Sequence, residues 1–338
     1  MKTISLSAPG TISVLEQDFD DSVRKVALLR VISSGICAAD SYLWSGKHPW
    51  DISYPIVPGH EIFGEVIEID AELETRFKPG TKVAVQVNVP CYTCELCLKG
   101  KFNMCVNRKH FGSTFKGAFA EQIAIPVGAR MHAYSEDIDD LIGGLSETMA
   151  NAIYCSRKVD LQGEKDVLIL GMGSIGACLA HYLKTTYPLL NITVLTSSEA
   201  KKNRLEMLGI SATSLTEIGN FADLFDVVFE TSGFADNFKA GLSALKPTGT
   251  AMVYGVFQSE MLFDFNQVSE FKELTLIGGH LADDASFELS ISFLTKHQNE
   301  LDYLISNIVG FENFTTAFSD SQFSQFKTIF QPSHKSEA

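Results

Sequence analysis

The chain has 338 residues, of which 45% are hydrophobic and 20% are charged. This length and composition favour about two domains with full cores and disfavour a disordered chain. Its 41 acidic and 27 basic residues give a net charge of −14, which argues against a protein that binds nucleic acid through a broad basic face.

Residues 1–17 lack the continuous apolar run of a signal peptide, and no later segment approaches the roughly 20 apolar residues of a membrane-spanning helix. We therefore expect a cytoplasmic protein with no membrane partner. The arrangement of the seven cysteines agrees, because four of them crowd into residues 91–105. In a chain without an export signal, such crowding indicates metal binding more than disulfides.

Residues 1–145 contain short β-rich segments separated by Gly and Pro, at Val26–Ile32, Ile62–Ile69 and Lys82–Val89. This pattern is typical of an antiparallel or barrel-like domain with long loops. Four cysteines lie in the last of these loops with the spacing C-x2-C-x2-C-x7-C: Cys91, Cys94, Cys97 and Cys105. Four thiolates on a short loop fit a closed tetrahedral zinc site that stabilises the fold, with a pair of disulfides as the alternative.

A second set of metal-ligand residue types is dispersed, at Cys37, His60 and Glu147. Taken singly, each has an ordinary explanation: a small buried side chain, a loop histidine and an acid at a helix start. Together they supply one thiolate, one imidazole and one carboxylate, which leaves the fourth position of a zinc ion open for water or substrate.

Residues 146–284 alternate between predicted helices and predicted strands. The helices are Ala150–Lys158, Ala177–Thr185 and Glu199–Leu208, and the strands are Asp166–Leu170, Asn191–Thr196, Asp226–Glu230 and Thr250–Tyr254. This alternation predicts a parallel sheet built from βαβ units. It fades near residue 285, so we expect residues 285–338 to return to the first domain and to end in a frayed tail.

The first strand of this sheet leads into a glycine turn, Gly171-Met172-Gly173-Ser174-Ile175-Gly176. A GxGxxG sequence alone is weak evidence, because glycines also mark ordinary turns. Between a strand and a helix it becomes a dinucleotide fingerprint, in which backbone N–H groups of Ser174, Ile175 and Gly176 and the helix N-terminus receive the pyrophosphate.

The end of the second strand bears on the choice of nucleotide. An NAD site usually has Asp or Glu there, about 20 residues after the glycines, whereas this chain has Thr196, followed by Ser197, Ser198 and Lys201. Hydroxyl groups and a nearby lysine suit a 2′-phosphate, so we favour NADP over NAD. Glu199 argues against this preference, and either serine could instead cap the following helix.

The order of these motifs resembles the zinc-dependent medium-chain dehydrogenase/reductase family, an alcohol dehydrogenase family, from about Lys25 to about Phe318. The motifs that carry the resemblance are Gly-Ile-Cys-x-x-Asp, Gly-His-Glu, the four-cysteine loop, Ser-Glu and GxGxxG. Glu147, where alcohol dehydrogenases of the family carry a cysteine, resembles the sorbitol (polyol) and threonine dehydrogenase branch.

The resemblance implies an α/β protein with a GroES-like β-barrel catalytic domain and a Rossmann coenzyme domain with a doubly wound parallel sheet, the catalytic zinc lying in the cleft between them. It implies two zinc ions per chain, one held by Cys37, His60 and Glu147 and one, structural, by the four cysteines. Glu61 would be an alternate ligand, and Asp40 would orient His60. A homodimer or homotetramer is also implied.

One position departs from the family. Two residues after the ligand cysteine, members usually carry Ser or Thr, whose hydroxyl begins a proton relay, whereas this chain has Ala39. We expect the proton to leave through a water near Glu61 or Glu147, or less readily through Tyr42.

The expected activity is hydride transfer between a nicotinamide and a secondary alcohol or ketone, the substrate being a polyol, sugar, cyclitol or polyol phosphate. Tyr42, Trp44 and His48 are candidate substrate contacts, although loop packing explains them equally well. A phosphorylated substrate would need a basic pocket, for which Lys47, Arg108 and Lys109 are available.

Three alternatives remain open at this point. One is a threonine-type amino acid dehydrogenase. Another is a zinc-free quinone or enoyl reductase of the same fold, which the paired zinc motifs disfavour. The third is a catalytically inactive cofactor-binding scaffold, for which Ala39 is the only hint.

Overall fold

The computed structural model describes residues 1–16, 24–47, 52–257, 259–318 and 326–333. The strands found in these ranges are β1 (Lys2–Ala8), β2 (Thr11–Glu16), β3 (Lys25–Ile36), β4 (Glu61–Ile69), β5 (Lys82–Val85), β6 (Asn88–Val89), β7 (Lys109–His110), β8 (Gln122–Pro126), β9 (Met131–Ala133), β10 (Lys165–Leu170), β11 (Leu190–Leu195), β12 (Ser211–Thr213), β13 (Phe225–Glu230), β14 (Leu245–Val253), β15 (Thr275–Gly278), β16 (Ile305–Val309) and β17 (Lys327–Phe330).

The α-helices of the described residues are α1 (Ala38–Ser45), α2 (Glu95–Leu98), α3 (Asp140–Gly143), α4 (Ser146–Ser156), α5 (Ser174–Thr186), α6 (Glu199–Met207), α7 (Ala235–Ala244) and α8 (Asp284–His297). Short 3-10 turns lie at Ala71–Leu73, Phe102–Met104, Ile218–Asn220, Phe265–Gln267, Gln298–Glu300, Asp302–Leu304 and Phe314–Phe318. None of the helices in the part of the chain that the structure describes is long and apolar enough to cross a membrane.

The chain divides into two compact units, one made of Met1–Ala150 with Ala282–Ala338 and the other of Asn151–Leu281. Helix α4 begins in the first unit and ends in the second. It starts at Ser146, earlier than the predicted start at Ala150, so Glu147 lies in its first turn.

The first unit is built on a seven-stranded sheet in the order β16-β17-β3-β4-β5-β9, with β8 also paired to β3. All of its pairs are antiparallel except β16 with β17. Apolar residues of these strands form the core, including Leu29, Val66, Val83 and Ile125, each at most 2% exposed. The antiparallel pairing of the strands confirms the antiparallel, barrel-like domain predicted from the sequence.

The predicted strand Lys82–Val89 is divided in two. Strand β5 pairs with β4 and β9, whereas β6 pairs with β7. Between them the Gln86 N–H donates to the carbonyl of Arg130 at 3.0 Å. The run therefore changes pairing partner as it enters the four-cysteine lobe, by which we mean residues 90–107.

The second unit holds a six-stranded sheet in the order β12-β11-β10-β13-β14-β15, in which every pair is parallel. The first strand of the unit, β10, is central, and the chain moves outward to one side and then to the other. This is the doubly wound order of the Rossmann domain that the family resemblance implies, and it confirms the parallel sheet predicted from the alternation of strands and helices. The order reverses between β10 and β13, and in such sheets ligands bind at the carboxyl ends of the strands at that point.

Candidate functional site

Three side chains in the first unit form a candidate metal site. One ligand atom each of Cys37, His60 and Glu61 can be chosen so that all three lie within 4.8 Å of one another. A thiolate, an imidazole and a carboxylate are the ligand types of a catalytic zinc site with an open fourth position. The donor set of these residues therefore fits zinc.

The sheet register brings the three side chains together. Strand β3 ends just before Cys37, β4 begins at Glu61, and Gly35 pairs with Glu61 across the two strands. A Cβ atom on Gly35 would lie 2.1 Å from Oε2 of Glu61. A larger residue at position 35 would displace the Glu61 carboxylate or the Lys327 side chain, so glycine suits this place in the Gly-Ile-Cys sequence.

Glu61 is held by two side chains from distant parts of the chain. Lys327, on β17, places its Nζ 2.5 Å from one carboxylate oxygen, and the Thr148 hydroxyl donates to the other at 2.8 Å. Both members of this ion pair are buried. Burial by itself lowers the pKa of Lys327, but the charges of Glu61, Cys37 and Glu147 raise that pKa above its usual value.

Asp40 connects the other two residues of the cluster. Its Oδ2 accepts the Cys37 N–H at 2.9 Å, and its Oδ1 lies 3.5 Å from Nδ1 of His60. This contact leaves Nε2 of His60 for a metal. Burial by itself lowers the pKa of His60, but Asp40 and Cys37 raise it well above its usual value. Because a metal-bound imidazole is neutral, zinc binding would release this proton.

Glu147, the carboxylate expected to complete the zinc site, is buried in the first turn of α4. It is not one of the three residues whose ligand atoms meet within 4.8 Å, a place that Glu61 takes. Its charge nevertheless acts on Lys327, which places it near the same cluster. Its role as a ligand stays a prediction.

The predicted substrate contacts differ from one another. Burial and the charge of Cys37 raise the pKa of Tyr42, so its ring lies near the cluster. Trp44 packs against the small apolar group of Leu6, Leu43 and Ile56. His48 lies outside the described residues. Ala39 lies in the first turn of α1 and has no hydroxyl to offer.

The four-cysteine lobe places its sulfur atoms around a common centre, with one atom of each cysteine within 4.8 Å of the others. The sulfur atoms of Cys94 and Cys105 are 3.9 Å apart, and all seven cysteines are free thiols. This separation is far longer than a disulfide bond and close to the edge of about 3.8 Å expected for a tetrahedron with Zn–S near 2.3 Å. The lobe therefore fits a closed metal site.

Hydrogen bonds within the lobe already favour thiolates. The Thr93 hydroxyl, followed by backbone N–H groups, lowers the pKa of Cys91 to about 5, and N–H groups of Cys97 and Val106 lower the pKa of Cys94. Burial raises the pKa of Cys97 to about 12. A cation is needed to deprotonate this last thiol at neutral pH, as a metal ligand requires.

The glycine turn of the second unit has the geometry of a dinucleotide site. A Cβ atom on Gly176 would lie 2.0 Å from the carbonyl oxygen of Gly171, so the third glycine allows the helix to approach the strand. A Cβ atom on Gly173 would meet nothing within 4 Å, which leaves that side open to a ligand. Helix α5 begins at Ser174, and the N–H groups of its first turn, including that of Ile175, face outward from the helix end.

The segment after β11 contains the residues that bear on nucleotide choice. Thr196 is buried, and its hydroxyl accepts the N–H of Ser198 at 3.3 Å. The Ser198 side chain caps α6 by accepting the N–H of Lys201, as the sequence allowed for either serine. Burial lowers the pKa of Lys201, while Glu199 pairs with Lys202 at 2.9 Å. Ser197, between Thr196 and Ser198, is exposed.

Sequence reasoning missed a buried carboxylate at the end of β13. Glu230 accepts the N–H groups of Ser232 and Gly233, both at 2.8 Å, and the Ser232 hydroxyl at 2.6 Å. Burial raises the pKa of Glu230. The sequence signal that could have identified Glu230 is its position at the carboxyl end of β13, next to the point where the strand order reverses. Lys327 and Thr148 had no such local signal, because their partner lies far away in sequence.

Comparison with known proteins agrees with this geometry. Residues 24–134 match the family model of the alcohol dehydrogenase GroES-like domain, and residues 146–331 match the model of the glucose dehydrogenase C-terminus. The second match alone spans more than half of the chain.

Relatives and solved structures extend over most of the chain. A sorbitol dehydrogenase of Halalkalibacterium halodurans is 26% identical over 91% of this chain and 92% of its own length. An L-threonine 3-dehydrogenase of Rhizobium etli is 30% identical over 74% of each chain. The structure of a zinc-binding dehydrogenase from Sinorhizobium meliloti, bound to NADP, shares the fold with a TM-score of 0.88 at 22% identity, covering 98% of this chain and 99% of that chain. The chain belongs to the zinc-dependent medium-chain dehydrogenase/reductase family and, within it, to the sorbitol (polyol) dehydrogenase branch.

Proposed function

We propose that this oxidoreductase interconverts a secondary alcohol of a polyol, sugar or cyclitol with the corresponding ketone, using zinc and NADP. The observation that carries the proposal is the partly buried cluster of Cys37, His60 and Glu61, in which ligand atoms of a thiol, an imidazole and a carboxylate lie within 4.8 Å of one another. When bound, the metal supplies a Lewis acid for the substrate oxygen and the nicotinamide supplies the hydride acceptor or donor.

The surrounding residues hold the side chains of this cluster in place. Asp40 accepts the Cys37 N–H, and its other oxygen lies 3.5 Å from Nδ1 of His60, so we assign it as a positioning residue. Lys327 and Thr148 occupy both oxygens of Glu61 and hold its carboxylate at the side of the cluster. We therefore assign the first zinc to Cys37 and His60, with either Glu61 or Glu147 as the carboxylate ligand, and the second to the four cysteines.

The proton released from the alcohol needs a path that avoids Ala39. Tyr42 is a poor acceptor, because burial and the Cys37 charge raise the pKa of its phenol and keep it protonated. The Glu61 carboxylate already accepts hydrogen bonds from the Thr148 hydroxyl and the Lys327 ammonium group. We assign the acceptor role to a water near Glu61 or Glu147.

The first test is turnover of the purified protein with NADP⁺ and NAD⁺ against polyols, cyclitols, sugar phosphates and threonine, with zinc counted on the same sample. We expect two zinc ions per chain and oxidation of one hydroxylated class. Cys37→Ala should lose one zinc and lower kcat/KM by at least about 1000-fold, because the Lewis acid contributes several kcal/mol. An active Cys37→Ala enzyme would contradict the assignment, and Cys155→Ala, which removes a buried thiol outside both clusters, is the matched control.

The cofactor preference is tested by Thr196→Asp. A carboxylate at this place accepts hydrogen bonds from a ribose 2′-OH and repels a 2′-phosphate. We expect the ratio of kcat/KM for NADP⁺ over that for NAD⁺ to fall by about tenfold or more. An unchanged ratio would overturn the NADP proposal while leaving the zinc proposal intact.

Threonine oxidation is the second candidate, since the Rhizobium etli relative is a threonine dehydrogenase. Turnover of threonine with no turnover of polyols would establish it. Two zinc ions with bound cofactor and no turnover on the whole panel would favour the inactive scaffold. We also propose a homo-oligomer, which sedimentation of the full chain would test.

A further inference from the structure

The carboxylate of Glu230 is fully buried at the end of β13, beside the point where the strand order of the second unit reverses. Its Oε1 accepts the N–H groups of Ser232 and Gly233, both at 2.8 Å, and the Ser232 hydroxyl at 2.6 Å. All three donors belong to one short segment, residues 231–234, which we call the β13 loop. This carboxylate therefore holds the loop that directly follows its own strand.

The β13 loop is also fastened to the strand that leads into the glycine turn. The N–H and the hydroxyl of Thr231 both donate to the carbonyl of Leu170, at 3.2 and 3.0 Å. A Cβ atom on Gly171 would lie 2.8 Å from the Cβ atom of Ser232, so the loop packs directly against the first glycine of the turn. The position of the loop thus bears on the place where the pyrophosphate is expected.

The second oxygen of Glu230 lies against the turn that follows β14, residues 254–256, which we call the β14 turn. A Cβ atom on Gly255 would overlap this oxygen, and the Gly255 N–H donates to the backbone carbonyl of Glu230 at 3.0 Å. A Cβ atom on Gly233 would lie 2.5 Å from the carbonyl oxygen of Val256, so the loop and the turn are in close contact. One buried carboxylate therefore contacts both segments.

Stability alone does not explain an acid at this position. Burial raises the pKa of Glu230, and the hydrogen bonds from Ser232, Gly233 and Gly255, which lower that pKa, offset the effect only in part. The folded chain thus makes the ionised carboxylate less favourable than water does, which lowers the free energy of unfolding. A side chain placed at such a cost is expected to serve function.

The order of the strands places this carboxylate on the nicotinamide side of the sheet. The adenosine half of the dinucleotide is expected over β11, which ends just before Thr196, on one side of β10. Strands β13 and β14 lie on the other side of β10. A dinucleotide bound where the strand order reverses has one half on each side, so its nicotinamide half would face the β13 loop and the β14 turn.

Two large apolar side chains are exposed on these segments. Phe234, the last residue of the β13 loop, is 67% exposed, and Val256, the last residue of the β14 turn, is 66% exposed. Small-molecule sites are lined mainly by apolar and aromatic side chains, with a few polar groups that fix orientation. The two segments that Glu230 contacts therefore carry the type of surface that a nicotinamide ring requires.

We infer that Glu230 is a positioning residue for the nicotinamide half of the cofactor, because its carboxylate holds the β13 loop and the β14 turn in the arrangement that receives that half. Glu230 takes no part in the hydride transfer itself. The inference rests on the proposed function only for the binding of a nicotinamide dinucleotide, and it goes beyond that function by assigning a residue that acts on one half of the cofactor.

The test is calorimetric titration of the full-length, zinc-loaded protein with two ligands. One is its preferred dinucleotide, and the other is the matching adenosine fragment, ADP for NAD⁺ or adenosine 2′,5′-bisphosphate for NADP⁺. In Glu230→Leu we expect the Kd of the dinucleotide to rise at least about tenfold, because freed loop residues must be ordered again on binding. The Kd of the fragment should change by less than about twofold, since the fragment binds on the β11 side.

Two further variants separate positioning from general support of the fold. Glu230→Gln keeps an acceptor oxygen for the loop, so its Kd for the dinucleotide should stay within about twofold of the parent value. Ser232→Ala removes one hydroxyl donor to Glu230 and should raise the same Kd by about fivefold. This second variant carries the test if Glu230→Leu fails to fold.

The matched control is Asp226→Asn, which changes a carboxylate at the amino end of the same strand. Asp226 accepts the N–H of Asp166 at 2.8 Å and pairs with Lys246 at 2.8 Å. Its replacement should lower the melting temperature and leave the Kd of both ligands unchanged, because ligands of such sheets bind at the carboxyl ends of the strands.

Equal weakening of dinucleotide and fragment in Glu230→Leu, or an unchanged Kd for the dinucleotide in the folded variants, would overturn the inference. A parent protein that binds the dinucleotide and oxidises no alcohol of the panel would sink only the proposed function, because the Kd values would still test Glu230. A parent protein that binds neither NADP⁺ nor NAD⁺ would overturn both.

Discussion

The four-cysteine lobe and the Cys37–His60–Glu61 cluster gather metal-ligand side chains in opposite ways. The lobe takes all four sulfurs from residues 91–105, and N–H groups of the same loop donate to them. The cluster takes its three residues from the end of β3 and the start of β4, and its carboxylate depends on Lys327 from β17.

This difference agrees with the roles proposed for the two sites, a structural one for the lobe and a reactive one for the cluster. Four thiolates saturate a tetrahedral metal, so the lobe can only hold its own loop together. The cluster offers three ligand types and keeps one of them, Glu61, in a buried ion pair with Lys327. A metal there would keep an open position, and residues that contact its ligands without binding the metal would tune its reactivity.

The largest effect on stability is expected in the lobe. Cys97→Ala removes one of four thiolates, so we expect loss of one zinc ion and a fall in melting temperature of more than about 10 °C, because a structural zinc contributes many kcal/mol to folding. Calorimetry and zinc counting measure both. Cys155→Ala removes an equally buried thiol outside the lobe as the control, and a Cys97→Ala protein with native melting and native zinc would contradict the structural role.

A somewhat smaller effect is expected at the cluster. Lys327→Met leaves the buried Glu61 carboxylate without its cation, so we expect the free energy of unfolding to fall by about 3–5 kcal/mol in the zinc-free protein. Added zinc should recover part of this loss, since the metal replaces the missing positive charge. Urea unfolding with and without zinc measures both the loss of unfolding free energy and its recovery. Lys327→Arg, which keeps the charge, should lower the free energy of unfolding by less. Equal stability of Lys327→Met and the parent would show that the ion pair does not stabilise the fold.

The smallest effect concerns a histidine that supports neither cluster directly. His132 stacks on Phe287 at 5.1 Å, contacts Gln86 at 2.8 Å, and burial lowers its pKa from 6.5 to about 4. Above pH 6.5 the ring is neutral in both states. Between pH 6.5 and 4 the unfolded chain binds a proton that the folded chain does not, so stability falls as pH falls, by at most about 3 kcal/mol.

His132→Gln removes this titration and keeps a hydrogen-bonding side chain. We expect its free energy of unfolding to depend less steeply on pH between 6.5 and 4 than that of the parent, and to have the same slope above pH 7. Urea unfolding at a series of pH values measures the slopes. Identical slopes below pH 6.5 would show that this histidine does not couple folding to protonation.

Much of the architecture follows from local sequence. The alternation of strand and helix after residue 146 predicted the parallel sheet, and the family resemblance implied its Rossmann order. The GxGxxG turn was predicted between a strand and a helix, and it lies between β10 and α5. The four-cysteine spacing predicted a cluster of thiols without disulfides. The family and the class of enzyme were confirmed by comparison. The ligand roles, the NADP preference and the two zinc ions stay proposals.

The sequence by itself determined what lies within a few residues along the chain, because a turn, a loop of cysteines and an amphipathic period are local patterns. The tertiary structure alone brought His60 and Glu61 to the end of the strand that leads into Cys37, since Glu61 adjoins Gly35 only through strand register. It alone brought Lys327 to Glu61, across 266 residues. Contacts between distant segments are fixed by sheet pairing and burial, which no local pattern encodes.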